Sequence, residues 1–68
     1  MLYAVAIYDL NEEKQFEKGY EIIFRDIGKA FFYAYKKSCG APFSRRYVIE
    51  RMPEAVAQAN GLEDLIES

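Results

Sequence analysis

Histidine is absent from this chain, and cysteine occurs once, as Cys39. Because histidine is the most frequent general acid or base near neutral pH, the commonest kind of catalytic site cannot be built. The usual zinc sites need several cysteine or histidine ligands, which the chain also lacks. A lone cysteine cannot form an internal disulfide, which favours a reducing compartment. The composition therefore predicts a protein that is not an enzyme and that uses no metal and no cofactor.

Other reactive patterns are incomplete. Cys39 would need neighbouring cations to form a thiolate, and a cysteine at a helix end is more often an inert packing residue. The acidic pairs Glu12-Glu13 and Glu63-Asp64 consist of adjacent residues. Adjacent side chains point to different faces, so neither pair is suited to acid–base catalysis. The dipeptide Gly28-Lys29 lacks the remainder of a phosphate-binding loop.

Long hydrophobic runs are missing as well. The apolar start, Leu2 to Ile7, is far shorter than the roughly 20 residues that a membrane helix requires. It also lacks the positive flank and the length of a signal peptide. We therefore expect a soluble, cytoplasmic protein without a membrane partner.

The chain is short but rich in large apolar side chains. Its 68 residues predict a single small domain, 1–68, and 51% of them are hydrophobic. A domain of this length buries only about 60% of the surface that its unfolded chain exposes, so its stability is marginal. Extension of the core across a homodimer interface is a common solution at this size. We therefore expect the chain to form a homodimer.

The first third of the sequence predicts two strands joined by a polar connection. Leu2 to Tyr8 is apolar on both alternating faces, as in a central strand covered on two sides, or on one side plus a partner. Asn11 to Gly19 fits either a short helix capped by Asn11 or a hairpin that turns at Lys18-Gly19, with Phe16 as an anchor. Tyr20 to Arg25 predicts the second strand, with Tyr20, Ile22 and Phe24 on one face.

The remainder predicts helix, strand and helix. Asp26 has the position of an N-cap and Gly40 that of a left-handed helix terminator. Phe43 to Met52 predicts a charged edge strand. Pro53 is suited to begin a final helix that reaches Asn60, where Gly61 either ends it or bends it into a last turn at 62–66. The helix that begins at Asp26 has one apolar stripe, formed by Ile27, Ala30, Phe31, Ala34, Tyr35 and Ser38.

These elements predict an α+β fold with the order β-β-α-β-α. We expect a three-stranded antiparallel sheet with the first, most apolar strand in the middle. Both helices are expected to cover one face of this sheet. The opposite face would then expose apolar side chains, which is a second reason to expect a dimer or another partner.

Charge and aromatic residues concentrate in the middle of the chain. Residues 25–51 carry seven basic and two acidic residues, a net charge of +5, whereas residues 1–24 carry −3 and residues 52–68 carry −4. On the helix, the apolar stripe would leave rings among lysines on the opposite side. The candidate partner-binding residues are therefore Lys29, Phe32, Tyr33, Lys36 and Lys37, extended by Arg45 and Arg46 on the third strand.

This patch predicts binding rather than catalysis. Rings supply contact area and lysines attract an acidic partner, so the leading hypothesis is a small non-enzymatic protein-binding module that docks a protein with an acidic surface. Such a module would act as a regulator, adaptor or inhibitor, and stand-alone domains of this kind are frequent among small bacterial and bacteriophage proteins. The alternative is a nucleic-acid-binding protein that uses the basic, aromatic segment 25–51.

Overall fold

Three antiparallel strands, β1 (Leu2–Leu10), β2 (Phe16–Phe24) and β3 (Arg45–Met52), form a sheet in which β1 is central. Helix α1 (Ile27–Cys39) joins β2 to β3, and β3 is followed by helix α2 (Glu54–Ala59) and a 3₁₀ turn at Glu63–Leu65. The structure, a computed structural model, describes residues 1–67. The predicted α+β class, the order of the elements and the central position of β1 are confirmed.

The connection between β1 and β2 is a hairpin loop at residues 11–15. The Asn11 side chain accepts hydrogen bonds from the backbone N–H groups of Glu13 (2.9 Å) and Gln15 (3.0 Å). Lys14 takes a left-handed conformation, with φ of 65°. The hairpin alternative is thus correct, but the turn precedes the predicted Lys18-Gly19 position, which lies inside β2. Phe16 is mostly exposed and does not anchor the segment.

Strand β2 contains a bulge at Glu21. Val5 of β1 lies opposite Ile22, whereas the next residue, Ala6, lies opposite Tyr20, so Glu21 has no partner across the ladder. An extra residue of this kind shifts the alternation of side chains between the faces. Tyr20 therefore shares a face with Ala6 rather than with Ile22 and Phe24, and the prediction of one face for all three was wrong.

Helix α1 begins at the predicted N-cap. The Asp26 carboxylate accepts hydrogen bonds from the backbone N–H groups of Gly28 (2.7 Å) and Lys29 (3.3 Å). At the other end, Gly40 has φ of −109° and its N–H bonds to the Lys37 carbonyl. The helix therefore stops where predicted, but without the left-handed residue expected there.

We expect Asp26→Ala to lower the free energy of unfolding by about 1 kcal/mol, because it removes the only side-chain oxygen that caps α1. Asp26→Asn should retain most of the stability, since the amide oxygen can accept the same bonds. Urea denaturation of both variants measures the difference. Equal stability of the alanine and asparagine variants would contradict the role of the cap.

The two helices lie on opposite faces of the sheet. Residues of odd number in β1, such as Val5, pack with Ala30 and Ala34 of α1. Residues of even number, such as Leu2 and Ala4, pack with Ala57 of α2. The expectation that both helices cover one face was wrong, because an apolar central strand has two faces to bury. Because each face carries a helix, neither face is wholly uncovered, and no dimer is needed to cover one.

The third strand is shorter than predicted. It begins at Arg45, and Phe43 is fully exposed in the preceding loop, not on a strand face. From Arg45 onward the side chains alternate between the two faces of the sheet. Tyr47 and Ile49 pack on the α1 face, and Met52 belongs to the cluster on the α2 face.

Candidate functional site

Helix α1 rests on the sheet through two alanines. Ala30 and Ala34, one turn apart, are buried against Val5 and Phe24. Their small side chains permit a close approach of the helix to the sheet. The larger residues Ile27, Phe31 and Tyr35, predicted to face inward, are exposed instead. The helix is therefore rotated from the expected orientation, and it presents two different flanks on either side of the alanines.

The flank of α1 toward β2 forms an open groove of about 650 Å³, which we call the lysine groove. It gathers five of the seven candidate residues. Arg45 and Arg46 are not part of it. The residues that line the groove are Phe24, Asp26, Gly28, Lys29, Phe32, Tyr33, Lys36, Lys37 and Glu67.

Two rings of the lysine groove differ in exposure. Phe32 is 65% exposed, and the Lys36 ammonium lies 5.4 Å from the centre of its ring. Tyr33, by contrast, is half-buried and packs against Phe24, with ring centres 5.6 Å apart. Phe32 thus offers a free apolar contact surface, whereas Tyr33 forms part of the groove floor. The expectation that both rings are exposed applies to Phe32 alone.

Tyr33 is held in its neutral form. Burial and, next to it, the negative charge of the nearby Glu21 carboxylate raise the pKa of Tyr33 to about 12. The Lys37 ammonium lies 5.5 Å from the centre of the Tyr33 ring. At neutral pH the groove therefore combines lysine side chains with a phenol that stays protonated.

Arg45 and Arg46 lie elsewhere. Arg45 forms a 2.7 Å ion pair with Asp9 at the far end of the sheet. Arg46 lies opposite Tyr8, on the face of the sheet that α2 covers in part. The third strand therefore does not extend the lysine groove, and the two arginines belong to separate surfaces.

A cross-strand cluster was missed from the sequence. The Glu50 carboxylate accepts hydrogen bonds from the hydroxyls of Tyr8 and Tyr20, each at 2.9 Å, and forms a 2.7 Å ion pair with Lys18. This cluster joins all three strands on the face of the sheet where α2 packs, in a part of that face that α2 does not cover. Only the strand register brings these residues together, and the bulge at Glu21 is what places Tyr20 on this face.

The cluster perturbs both of its charged groups. Burial alone would raise the pKa of Glu50, but the bonds from Lys18, Tyr20 and Tyr8 outweigh burial and lower it. The same carboxylate raises the pKa of Lys18. Both groups therefore stay charged around neutrality. The arrangement is that of a structural ion pair, because Glu50 and Lys18 each stabilise the charged form of the other.

Comparison with protein-family models, with curated proteins and with solved structures finds no match for this chain. Within residues 1–67, no helix is long and apolar enough to cross a membrane. In the same range, no group of three or more cysteine, aspartate or glutamate residues is arranged to hold a metal ion. A function must therefore be inferred from the geometry and charge of the site.

Proposed function

We propose that this chain is a small non-enzymatic protein-binding module, a regulator, adaptor or inhibitor, that docks an acidic segment of a partner protein in the lysine groove. The observation that carries the proposal is the position of Phe32, a largely exposed ring bordered by lysines in one open groove. Phe24 and Tyr33 line the same groove, so Phe32 belongs to a contiguous apolar patch of the kind that marks interaction sites.

The groove has the composition of an interaction hot spot. Phe32 can pack against an apolar side chain of a partner, while Lys29, Lys36 and Lys37 surround it with positive charge. Lysines at the rim of an interface mainly accelerate association and select partners of opposite charge. The ligand that fits best is a polypeptide segment with glutamate or aspartate residues on either side of an apolar side chain.

Self-association and a cytoplasmic location are part of the proposal. A marginal core of this size gains stability when two copies share an interface. Cys39 is an exposed free thiol, which is compatible with a reducing compartment.

The nucleic-acid alternative is less well supported by the charges. Arg25 is paired with Glu54 at 3.0 Å and Arg45 with Asp9 at 2.7 Å, so two cations of the basic segment are already matched. The acidic Glu67 also lines the lysine groove. A nucleic-acid backbone needs a continuous positive surface, and these carboxylates interrupt it.

We expect an acidic peptide to perturb the amide NMR signals of the lysine groove in ¹⁵N-labelled protein. The probe is a glutamate-rich peptide with one central leucine. Phe32→Ala should weaken its binding roughly tenfold, because removal of an anchor ring costs more than about 1 kcal/mol. Phe31→Ala is the matched control, since Phe31 is 59% exposed on the other flank of α1, and it should leave the affinity nearly unchanged.

Added salt should weaken this binding, since rim charges are screened. Absence of shifts around Phe32 at low ionic strength would refute the proposal. A single-stranded oligonucleotide serves as the second probe. If it shifts the same signals and the peptide does not, the nucleic-acid alternative replaces the leading proposal.

A further inference from the structure

The outer edge of β3 has no pairing segment among the described residues. The opposite edge, on β2, is partly occupied, because Ile66 bridges to Ile23 and the Glu67 N–H donates to the Ile23 carbonyl at 2.8 Å. No corresponding segment lies along β3 within residues 1–67. An unpaired edge is a template for another strand unless it is protected.

One hydrogen bond shows which backbone groups of β3 point outward. The Leu10 N–H donates to the Ser44 carbonyl at 3.1 Å, and this pair continues the register in which Leu2 faces Met52. Hydrogen-bonded pairs alternate along an antiparallel ladder. The even-numbered residues of β3 therefore bond to β1, and the backbone groups of Tyr47, Ile49 and Arg51 point to the free edge.

An apolar groove follows the same edge. It has a volume of about 450 Å³ and lies between β3 and the flank of α1 that is opposite the lysine groove. Phe31 and Tyr35, which are 59% and 70% exposed, line it together with Tyr47 and Ile49. Free backbone donors and acceptors thus lie beside exposed rings, as strand addition requires.

We propose that a second copy of this chain pairs with β3 antiparallel, about a two-fold axis at Val48. This inference rests on the self-association in the proposed function, but not on the acidic partner. In this register, Tyr47 lies opposite Ile49 of the second copy. The backbone N–H and C=O groups of these two residues face each other and can form hydrogen bonds. Val48, which is 41% exposed, lies opposite Val48 of the second copy as a close, non-hydrogen-bonded pair.

Charge selects this register. Arg46 lies opposite Glu50 of the second copy, and symmetry forms the pair twice, although Lys18 already offsets part of the charge of Glu50. A shift of two residues in either direction would place Arg46 opposite Val48 or Met52 and would lose both attractions. Arg45 lies opposite Arg51 of the second copy and repels it, although the ion pair with Asp9 offsets part of the charge of Arg45. The charges of β3 therefore permit one self-pairing and disfavour its neighbours.

The dimer would cover the rings that the monomer leaves exposed. Residues opposite each other in an antiparallel pair point to the same face, so both copies of α1 lie on one face of a six-stranded sheet. Their Phe31 and Tyr35 flanks border the two-fold axis. The lysine grooves lie on the outer flanks, where both remain open to a partner.

A disulfide test reports the register directly. In a Cys39→Ser background, Val48→Cys should form an intermolecular disulfide under mild oxidation, because paired residues of this type have Cα atoms about 4.5 Å apart. Arg51→Cys is the control, since its two copies would be separated by six residues of strand, about 20 Å, and the change removes no attraction between the copies. Non-reducing gel electrophoresis measures the yield. Equal yields for the two variants would overturn the proposed register.

Charge reversal on β3 gives a second, independent readout. Arg46→Glu should weaken the dimer about tenfold, because two attractions become repulsions. Arg51→Glu makes the same change on the same strand, but it should strengthen the dimer several-fold, since it faces Arg45 of the second copy. Sedimentation equilibrium measures both dissociation constants.

The same direction of change for both charge variants would refute the pairing, as would a monomeric wild-type protein at millimolar concentration. Neither result would alter the peptide-induced NMR shifts in the lysine groove. Failure of the dimer and failure of the acidic-partner proposal are therefore distinguishable.

Discussion

Ile23→Ala is expected to lower the free energy of unfolding by about 3 kcal/mol and to leave much of the protein unfolded at 37 °C. Ile23 has 0% exposure and packs with Leu2, Ala4 and Met52 on the α2 face. Its truncation removes buried methyl groups and leaves a cavity. A chain of this length is stable by only roughly 3–10 kcal/mol, so the loss is a large fraction of the total.

Ile27→Ala provides the matched control for this prediction. The chemical change is the same, but Ile27 is 42% exposed on α1, and alanine has the higher helix propensity. We expect a loss below about 1 kcal/mol. Urea denaturation followed by circular dichroism at low protein concentration measures both variants. Similar losses for the two would contradict the assigned position of the core.

Glu50→Gln is expected to lower the free energy of unfolding by about 2 kcal/mol at pH 7. The carboxylate accepts from Tyr8, Tyr20 and Lys18, and hydrogen bonds to a charged group contribute more than neutral ones. An amide can accept with one oxygen only and places an N–H₂ group toward the remaining donors. Since the Glu50 side chain is 26% exposed, solvent moderates the loss.

The contribution of Glu50 depends on pH in a defined direction. Its pKa is lowered on folding, so the native state favours the charged form. The stabilisation is therefore fully present above the unfolded-state pKa, about 4.3, and is lost as the pH falls through the lower folded-state value. The difference between wild type and Glu50→Gln should shrink below about pH 4.

Glu12→Gln is the control for Glu50→Gln, because Glu12 is exposed in the hairpin loop. Its effect on stability should be within about 0.5 kcal/mol at every pH. Thermal denaturation across the acid range compares the three proteins. A Glu50→Gln difference that grows toward acid pH would contradict the assigned role of the carboxylate.

Local signals predicted much of the fold. Asp26 and Gly40 marked the ends of α1, and Pro53 marked the start of α2, because caps and breakers act within a few residues. Positions set by long-range pairing were harder to predict. The bulge at Glu21 depends on how β2 meets β1, so an alternation rule applied to β2 alone placed Tyr20 on the wrong face.

The candidate site was predicted in part for a similar reason. Lysine and ring density identified the side of α1 that carries Lys29, Phe32 and Lys36. The prediction that the large apolar residues Phe31 and Tyr35 are buried was wrong. Close packing of α1 on the sheet buries the small side chains of Ala30 and Ala34 instead. The placement of α2 on the opposite face was not predictable from its own six residues.

The two proposals assign separate roles to the two flanks of α1, peptide binding to the Phe32 flank and dimerisation to the Phe31 flank. Phe31→Ala and Phe32→Ala test this assignment most directly, because they make the same change at adjacent, similarly exposed residues. Each variant is to be measured by sedimentation equilibrium and by titration with the acidic peptide. We expect Phe31→Ala to weaken only the dimer and Phe32→Ala to weaken only peptide binding. If either variant lost both dimerisation and peptide binding, the separate roles of the two flanks would be contradicted. The same conclusion would follow if both variants kept both properties.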